Sequence, residues 1–257
     1  MFDTIQYEKR EGFSIIWFNR PHVLNAMNRL MWEELDRALR ITEEDPDVKV
    51  LIFTGQGRAF STGADLKESP KRTKLEYRAY LEKLQGISLK IIEFPKPTIA
   101  AINGYALGSG YELALACDIR IAAEDALIGS PEAKVSSSVT GGSTRLLVDL
   151  IGPAKAKELI FTAEYIDGKE AERIGLVNRA VRADKLMDET ISMAKRISSN
   201  SALSIKLIKG LINGAKETGL LSLMQHEVEA CLNAVFSEER HERIRAFEER
   251  KKGRKGS

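Results

Sequence analysis

Apolar residues follow two different spacings along the first two-thirds of the chain. Short runs rich in β-branched and aromatic residues predict strands, and runs with an apolar residue every three or four positions predict helices. Strands are predicted at 13–18, 48–53, 98–102, 119–123 and 127–128. Helices are predicted at 30–41, 75–91, 112–117, 153–161 and 169–174. Strands that alternate with helices in this way indicate an α/β fold.

The pattern changes near residue 194, after which almost every stretch has helical periodicity. The apolar positions of one such stretch are Leu220, Leu221, Met224, Val228, Cys231, Leu232 and Val235. The sequence therefore predicts a core domain at 1–194 and a helical region at 195–257. The apolar faces of these helices need a cover, and a partner subunit is one candidate.

Composition and charge exclude several classes of function. The 257 residues include 39 Lys and Arg against 37 Asp and Glu, so there is no basic excess for binding nucleic acid. No apolar run reaches the roughly 20 residues of a membrane span, and residues 1–10 are too polar for a signal peptide. A cytoplasmic protein without membrane or nucleic-acid partners is expected. The basic residues of 250–255 predict a solvated tail or a contact with a ligand phosphate.

Three segments carry candidate chemistry. Residues 58–67 form a glycine-containing loop directly after a buried strand, where ligands bind in α/β sheets. Residues 103–112 predict a strand end, a glycine-rich turn and a helix start, whose free N–H groups could hold a developing oxyanion. Residues 130–132, Ser-Pro-Glu, place a carboxylate in a turn after a short strand.

Glu112 and Glu132 each allow a plainer interpretation. Glycines at a strand–helix junction often serve packing alone, and an acid in the first turn of a helix is favoured by the helix dipole. Glu132 taken alone would be a surface acid. However, residues 113–117 are apolar on all sides, so Glu112 opens a helix that is predicted to be buried. A carboxylate in that position is costly unless it has a function.

Other catalytic motifs fail on spacing. Leu107 stands where a GxSxG nucleophile motif needs glycine, and no Lys-Ser/Thr pair follows the glycines as in a P-loop. His241-Glu242 has no second histidine one turn later, so no HExxH metal site is expected. Cys117 and Cys231 form no CxxC pair, and both are predicted to be buried. A Ser-His-Asp triad stays open, with no motif that points to it.

Taken together, the motifs resemble those of the enoyl-CoA hydratase/isomerase (crotonase) superfamily. The matching segments are 19–21, 24–27, 59–67, 96–104, 108–118, 129–132, 171–177 and 246–250. They stand in the order of the family and cover nearly the whole chain. The resemblance implies a crotonase-like ββα spiral core and a helical C-terminal region that forms trimers, which often pair into hexamers.

The resemblance also implies roles for individual residues. A substrate thioester carbonyl would be held by the backbone N–H groups of Ala64 and Ser109, with Glu112 and Glu132 as the acid/base pair. Along bound CoA would lie His22, Val23, Leu24, Ala64, Asp65, Leu66 and Lys67. The implied partner is an acyl-CoA thioester. No metal and no cofactor is expected, because coenzyme A is part of the substrate. With both glutamates present, enoyl-CoA hydration is the expected reaction.

Two departures from the family pattern leave the reaction and the substrate open. Ser109 replaces the usual glycine of hydratases, and Val-Thr-Gly-Gly-Ser-Thr-Arg-Leu at 139–146 replaces Gly-Ala-Gly-Gly-Thr-Gln-Arg-Leu. The polar stretch before it, 133–138, is one residue shorter than usual. Double-bond isomerisation, ring-opening hydrolysis, decarboxylation and a non-catalytic CoA-thioester or RNA-binding role are the alternatives.

Overall fold

Two β-sheets and the helices between them are built from the first part of the chain in the computed structural model, which describes residues 1–68 and 72–253. The strands are β1 (Ile5–Arg10), β2 (Gly12–Phe18), β3 (Val48–Gly55), β4 (Ala59–Ser61), β5 (Thr98–Ile102), β6 (Tyr105–Leu107), β7 (Ile119–Ala123), β8 (Leu127–Gly129), β9 (Ile166–Asp167) and β10 (Arg179–Val181). The helices are α1 (Arg29–Glu44), α2 (Lys74–Ile92), α3 (Ser109–Ala116), α4 (Ser143–Thr162), α5 (Gly168–Arg173), α6 (Leu186–Ser198), α7 (Ala202–Gly214), α8 (Leu220–Val235) and α9 (Glu238–Gly253).

The larger sheet has six strands in the order β1-β2-β3-β5-β7-β10. Only β1 runs antiparallel to its neighbour, and the other pairs are parallel. Ile52 pairs with Ile99 on β5, and Ile99 in turn pairs with Ile119 on β7. The central strands β3 and β5 are buried almost throughout, which explains their continuous apolar sequences.

The smaller sheet has four strands in the order β4-β6-β8-β9, with the first three parallel. The three segments with candidate chemistry all meet this sheet. The loop 62–66 comes after β4, the glycine turn before α3 comes after β6, and the turn with Glu132 comes after β8. Parallel strands carry their carboxyl ends at one edge of the sheet. The topology therefore brings the three segments to the same edge.

Most predicted elements are confirmed. The short strands β4, β6, β9 and β10 and helix α6 were not predicted, and three further corrections concern β1, α3 and α4. Strand β1 was not predicted, because its sequence IQYEKR mixes polar and apolar residues at the edge of the sheet. Helix α3 begins at Ser109 rather than at Glu112. Helix α4 begins at Ser143, ten residues before the predicted start, and Gly152 interrupts it with φ 76° and ψ 163°. The predicted start at Pro153 marks the second half of this helix.

The chain divides into two compact units, Met1–Ile197 and a second unit that begins at Ser198. Within the second unit, Glu239 on α9 accepts hydrogen bonds from the Ser201 hydroxyl and the Leu203 amide at the start of α7. The sequence instead predicts a domain boundary at residue 194. That boundary, and an oligomerisation role for residues 195–257, remain predictions. The side chains of the basic residues 250–255 lie outside the part of the chain that is described.

Two further observations bear on the sequence predictions. Cys117 is buried as predicted, but the prediction for Cys231 is wrong, because it lies on the exposed apolar face of α8. No helix in the described ranges 1–68 and 72–253 has the length and apolarity to cross a membrane.

A buried arginine holds the C-terminal end of α3. Arg120 is 6% exposed, and its guanidinium donates hydrogen bonds to the main-chain oxygens of Cys117 (2.6 Å) and Leu176 (2.9 Å). Longer bonds of 3.4 Å reach the oxygens of Ala114 and Leu115. The Ala114 oxygen also accepts from the Cys117 amide, but the last carbonyls of the helix lack an intrahelical donor one turn on, so the side chain satisfies groups that would otherwise be buried without a partner.

We predict that Arg120→Met destabilises the protein strongly. Each buried carbonyl left without a donor costs about 1–3 kcal/mol, so a loss of at least about 2 kcal/mol is expected. Arg182→Met is the matched control, because Arg182 is exposed and its ion pair among the described residues is with the exposed Asp184. Its effect should stay within about 0.5 kcal/mol. Urea denaturation of the two variants measures both values, and equal effects would contradict the prediction.

Candidate active site

A short parallel bridge joins the loop after β4 to the chain before α1. The Met27 amide donates to the Gly63 oxygen at 2.7 Å, and the Asp65 amide donates to the Met27 oxygen at 3.1 Å. In a parallel bridge the residue between the two bonded positions directs its own N–H to the other side. That residue is Ala64, and its amide donates to no acceptor within the described residues. The bridge thus leaves one oriented donor free.

An ion pair between Arg20 and Asp65 also fixes the loop 62–66. The Arg20 guanidinium donates to the Asp65 carboxylate at 2.9 Å, and the two side chains are 16% and 11% exposed. Burial raises the pKa of Asp65, but the bonds from Arg20 and from the Lys67 amide outweigh it and keep the pKa below its ordinary value. The Asp65 carboxylate is therefore ionised and already bonded inside the protein, next to Ala64.

Two glycines allow this loop to meet the start of α3. A Cβ atom on Gly63, whose φ is +88°, would lie 2.9 Å from the Ser109 nitrogen and 2.8 Å from the Leu107 oxygen. Gly108 precedes the helix with φ +52°. The Ser109 amide is one of the free donors of the first helical turn, and it has no acceptor among the described residues. The free amides of Ala64 and Ser109 therefore belong to backbone segments in direct contact.

Glu112 lies one turn into α3, and it is 2% exposed. Thr140 supplies hydrogen bonds to both carboxylate oxygens. Its backbone N–H donates to Oε1 in a very short contact, and its hydroxyl donates to Oε2 at 2.7 Å. Burial raises the pKa of Glu112, the two bonds from Thr140 lower it, and the charge of Glu132 raises it further, so the pKa remains above its ordinary value. A raised carboxyl pKa in a cleft is typical of general acid/base groups.

Glu132 occupies a single 3₁₀ turn, Glu132–Val135, directly after β8. Its Oε2 accepts a very short hydrogen bond from the Ser130 hydroxyl. Its Oε1 lies 3.0 Å from the place where a Cβ on Gly108 would stand. The carboxylate is only partly exposed, and it lies beside the residue that precedes the Ser109 amide.

Comparisons with known proteins match one family over almost the whole chain. The sequence profile of the family described as Enoyl-CoA hydratase/isomerase matches residues 8–255. The chain belongs to this family. It is 36% identical to a crotonyl-CoA hydratase of Syntrophomonas wolfei over 252 residues, which cover 98% of this chain and 97% of that protein. It is also 36% identical to a short-chain-enoyl-CoA hydratase of Clostridium acetobutylicum, over 97% and 96% of the two chains.

Solved structures give the same result for the fold. The crystal structure of an enoyl-CoA hydratase from Bacillus anthracis superimposes with a TM-score of 0.92 at 35% identity, over 96% of this chain and 97% of that one. The α/β crotonase fold, with two mixed sheets and C-terminal helices, is therefore confirmed. Membership of the enoyl-CoA hydratase/isomerase family implies an acyl-CoA substrate.

The remaining residues expected along CoA lie around the same loop. Residues Pro21–Val23 form one 3₁₀ turn, and the Leu24 oxygen accepts a hydrogen bond from the Thr62 amide. His22, Leu66 and Lys67 are exposed, whereas Val23 and Leu24 are partly buried. Asp65 differs from the others because its carboxylate is bonded to Arg20, which leaves mainly its backbone to face a ligand.

Sequence reasoning missed three residues that shape this site: Arg20, Ser130 and Thr140. Arg20 and Ser130 lie within matching motifs, and Thr140 stands at a departure from the family pattern. The Thr140–Glu112 contact spans 28 positions and involves a loop residue, so neither periodicity nor spacing could reveal it. The departure at position 140 was the one usable signal.

We predict that Gly63→Ala destabilises the protein by about 1–3 kcal/mol, because the added methyl group meets backbone atoms and alanine disfavours a positive φ. Gly86→Ala is the control, since Gly86 is exposed within α2 and a Cβ there would meet nothing within 4 Å. That change should stabilise the protein by about 0.5–1 kcal/mol. Urea denaturation checks both signs, and a neutral Gly63→Ala variant would contradict the close approach to α3.

Proposed function

We propose that this protein is an enoyl-CoA hydratase that adds water across the double bond of a 2,3-enoyl-CoA thioester. The observation that carries the proposal is the presence of two carboxylates, Glu112 and Glu132, beside the two free amides of Ala64 and Ser109. The relatives named as hydratases support the same reaction.

In this proposal the thioester oxygen accepts hydrogen bonds from the amides of Ala64 and Ser109. When water attacks C3, the electron pair of the double bond moves toward C2 and the carbonyl, and an enolate oxyanion develops. Backbone donors that are already oriented stabilise this charge without reorganising. The loss of one such donor costs roughly 3–4 kcal/mol of barrier in other enzymes.

The two glutamates move the protons. Glu112 accepts a proton from the attacking water while the C3–O bond forms, and Glu132 delivers a proton to C2 as the enolate collapses. The product is a 3-hydroxyacyl-CoA, which contains both hydrogens and the oxygen of one water. Because the charge of Glu132 acts on Glu112, the two groups are not independent, and the division of roles describes the dominant path.

The specific observation that favours hydration over double-bond isomerisation is the second carboxylate. Isomerisation needs one group that carries a proton between C2 and C4, whereas addition of water needs two proton transfers around one water molecule. An isomerase would exchange protons at C2 and C4 without forming a hydroxyacyl product. Incubation in deuterated water with product analysis separates the two reactions.

We predict that Glu112→Gln and Glu132→Gln each lower kcat for crotonyl-CoA hydration by about 10²–10⁴-fold, because each removes one proton-transfer group. The fall in the absorbance of the conjugated enoyl thioester measures the rate. Glu158→Gln is the control, since Glu158 is exposed on α4 and pairs with Lys155. It should leave the rate unchanged. Full activity in both site variants would overturn the mechanism.

The second unit supports assembly with other copies of the chain, for which the family resemblance implies a trimer or a hexamer. Leu221, Met224, Val228 and Leu232 lie at spacings of three and four residues on one side of α8, and they are 79%, 52%, 58% and 46% exposed. A contiguous apolar helix face of this kind usually marks a protein interface. We propose that copies of this chain cover it.

We predict a solution mass of three or six chains by light scattering. Val228→Glu should lower this mass, because a charge on the covered face would be buried without a partner. Glu227→Gln, at the neighbouring exposed position, should retain the mass of the wild type. A wild-type protein with the mass of one chain would contradict the proposed assembly.

A further inference from the structure

One loop residue, Thr140, donates a hydrogen bond to each oxygen of the buried Glu112 carboxylate. Thr140 bonds Oε1 with its backbone N–H and Oε2 with its hydroxyl, the latter at 2.7 Å. Its own oxygen accepts a hydrogen bond of 3.0 Å from the Ser143 amide at the start of α4. Thr140 therefore uses its amide, its hydroxyl and its carbonyl, and its position is fixed by α3 on one side and α4 on the other.

The neighbouring residue shows how closely this loop approaches the carboxylate. A Cβ on Gly141 would lie 3.4 Å from the Glu112 Cβ and 2.9 Å from the Ser88 hydroxyl oxygen on α2. A larger residue would push the loop outward and lengthen the bonds from Thr140.

We propose that Thr140 is a positioning residue, whose hydroxyl holds Glu112 in one orientation as a proton acceptor. The role rests on the proposed hydration, in which Glu112 takes a proton from water. The hydroxyl can donate to the carboxylate, and it can turn to accept when the carboxyl group has gained a proton. The hydroxyl can therefore form a hydrogen bond with both the ionised and the protonated carboxyl group of Glu112, which has almost no access to solvent.

The charges around Glu112 determine the direction in which loss of the Thr140 hydroxyl shifts the pKa of Glu112. Among the described residues, the titratable groups that face Glu112 are Glu132, on the turn after β8, and Tyr111, its neighbour on α3. The charge of Glu132 and burial raise the pKa of Glu112, and Thr140 opposes both. Removing the hydroxyl therefore raises the pKa further. Because the base must be ionised, the acidic limb of kcat/KM must move to higher pH.

The test compares Thr140→Val, which keeps the shape and the backbone N–H, with Thr140→Ser, which keeps the hydroxyl. We expect Thr140→Val to move the acidic limb for crotonyl-CoA upward by about one pH unit, equivalent to about 1.4 kcal/mol. Thr140→Ser should restore the wild-type limb. Thr162→Val is the control, since the Thr162 hydroxyl donates to the Glu158 oxygen of α4 and accepts from the Glu164 amide just after it. It should leave the limb in place.

A second measurement needs no substrate. The protein is labelled with ¹³C at the glutamate carboxyl carbons, and the signal of Glu112 is identified by its loss in Glu112→Gln. This signal should titrate at higher pH in Thr140→Val than in the wild type and Thr140→Ser. Titration at the same pH in all three proteins would overturn the role of Thr140, even with full hydratase activity. A shifted signal in a protein that does not hydrate crotonyl-CoA would instead overturn the proposed reaction and leave the positioning role intact.

Discussion

The parallel bridge between Met27 and the residues on either side of Ala64 is the contact on which the site depends. It uses the Gly63 oxygen and the Asp65 amide, so that the amide between them faces away from the bridge. The Arg20–Asp65 ion pair then fixes the loop from a different part of the chain. A loop without these bonds could turn its peptide groups, and a donor that must reorient during the reaction stabilises an oxyanion less.

The second half of the site depends on a helix that is buried along its whole length. All eight residues of α3, from Ser109 to Ala116, are buried, so both its first amide and its glutamate lie in a poorly polarisable interior. Such surroundings strengthen hydrogen bonds to a developing charge, but they also disfavour an ionised carboxylate. Thr140 offsets the cost of the buried charge, because its N–H and hydroxyl donors stabilise the ionised Glu112 without exposing α3 to water.

The sequence was most informative where burial is complete. The mostly apolar runs of β3, β5 and β7 predicted strands within a few residues of the observed bounds, because side chains covered on both faces leave few polar positions. The start of α3 was less visible, since Gly108, Ser109 and Gly110 have the composition of a turn. Strand β1 was missed because an edge strand is only half covered. The contact of Thr140 with Glu112 depends on a loop path that local patterns do not encode.

The placement of Arg120 has a long-range electrostatic consequence. An eight-residue helix is about 12 Å long, so this buried cation lies about that distance from the Ser109 amide at the opposite end of α3. At an effective dielectric constant of about 20, one positive charge at that separation stabilises a negative charge by at most about 1 kcal/mol, because the nearby Asp118 carboxyl group opposes it. With the oxyanion held as proposed, a residue that never touches the acyl group therefore contributes to the speed of turnover. Replacing it with a neutral side chain of equal stability would slow the enzyme without altering any group in contact with substrate.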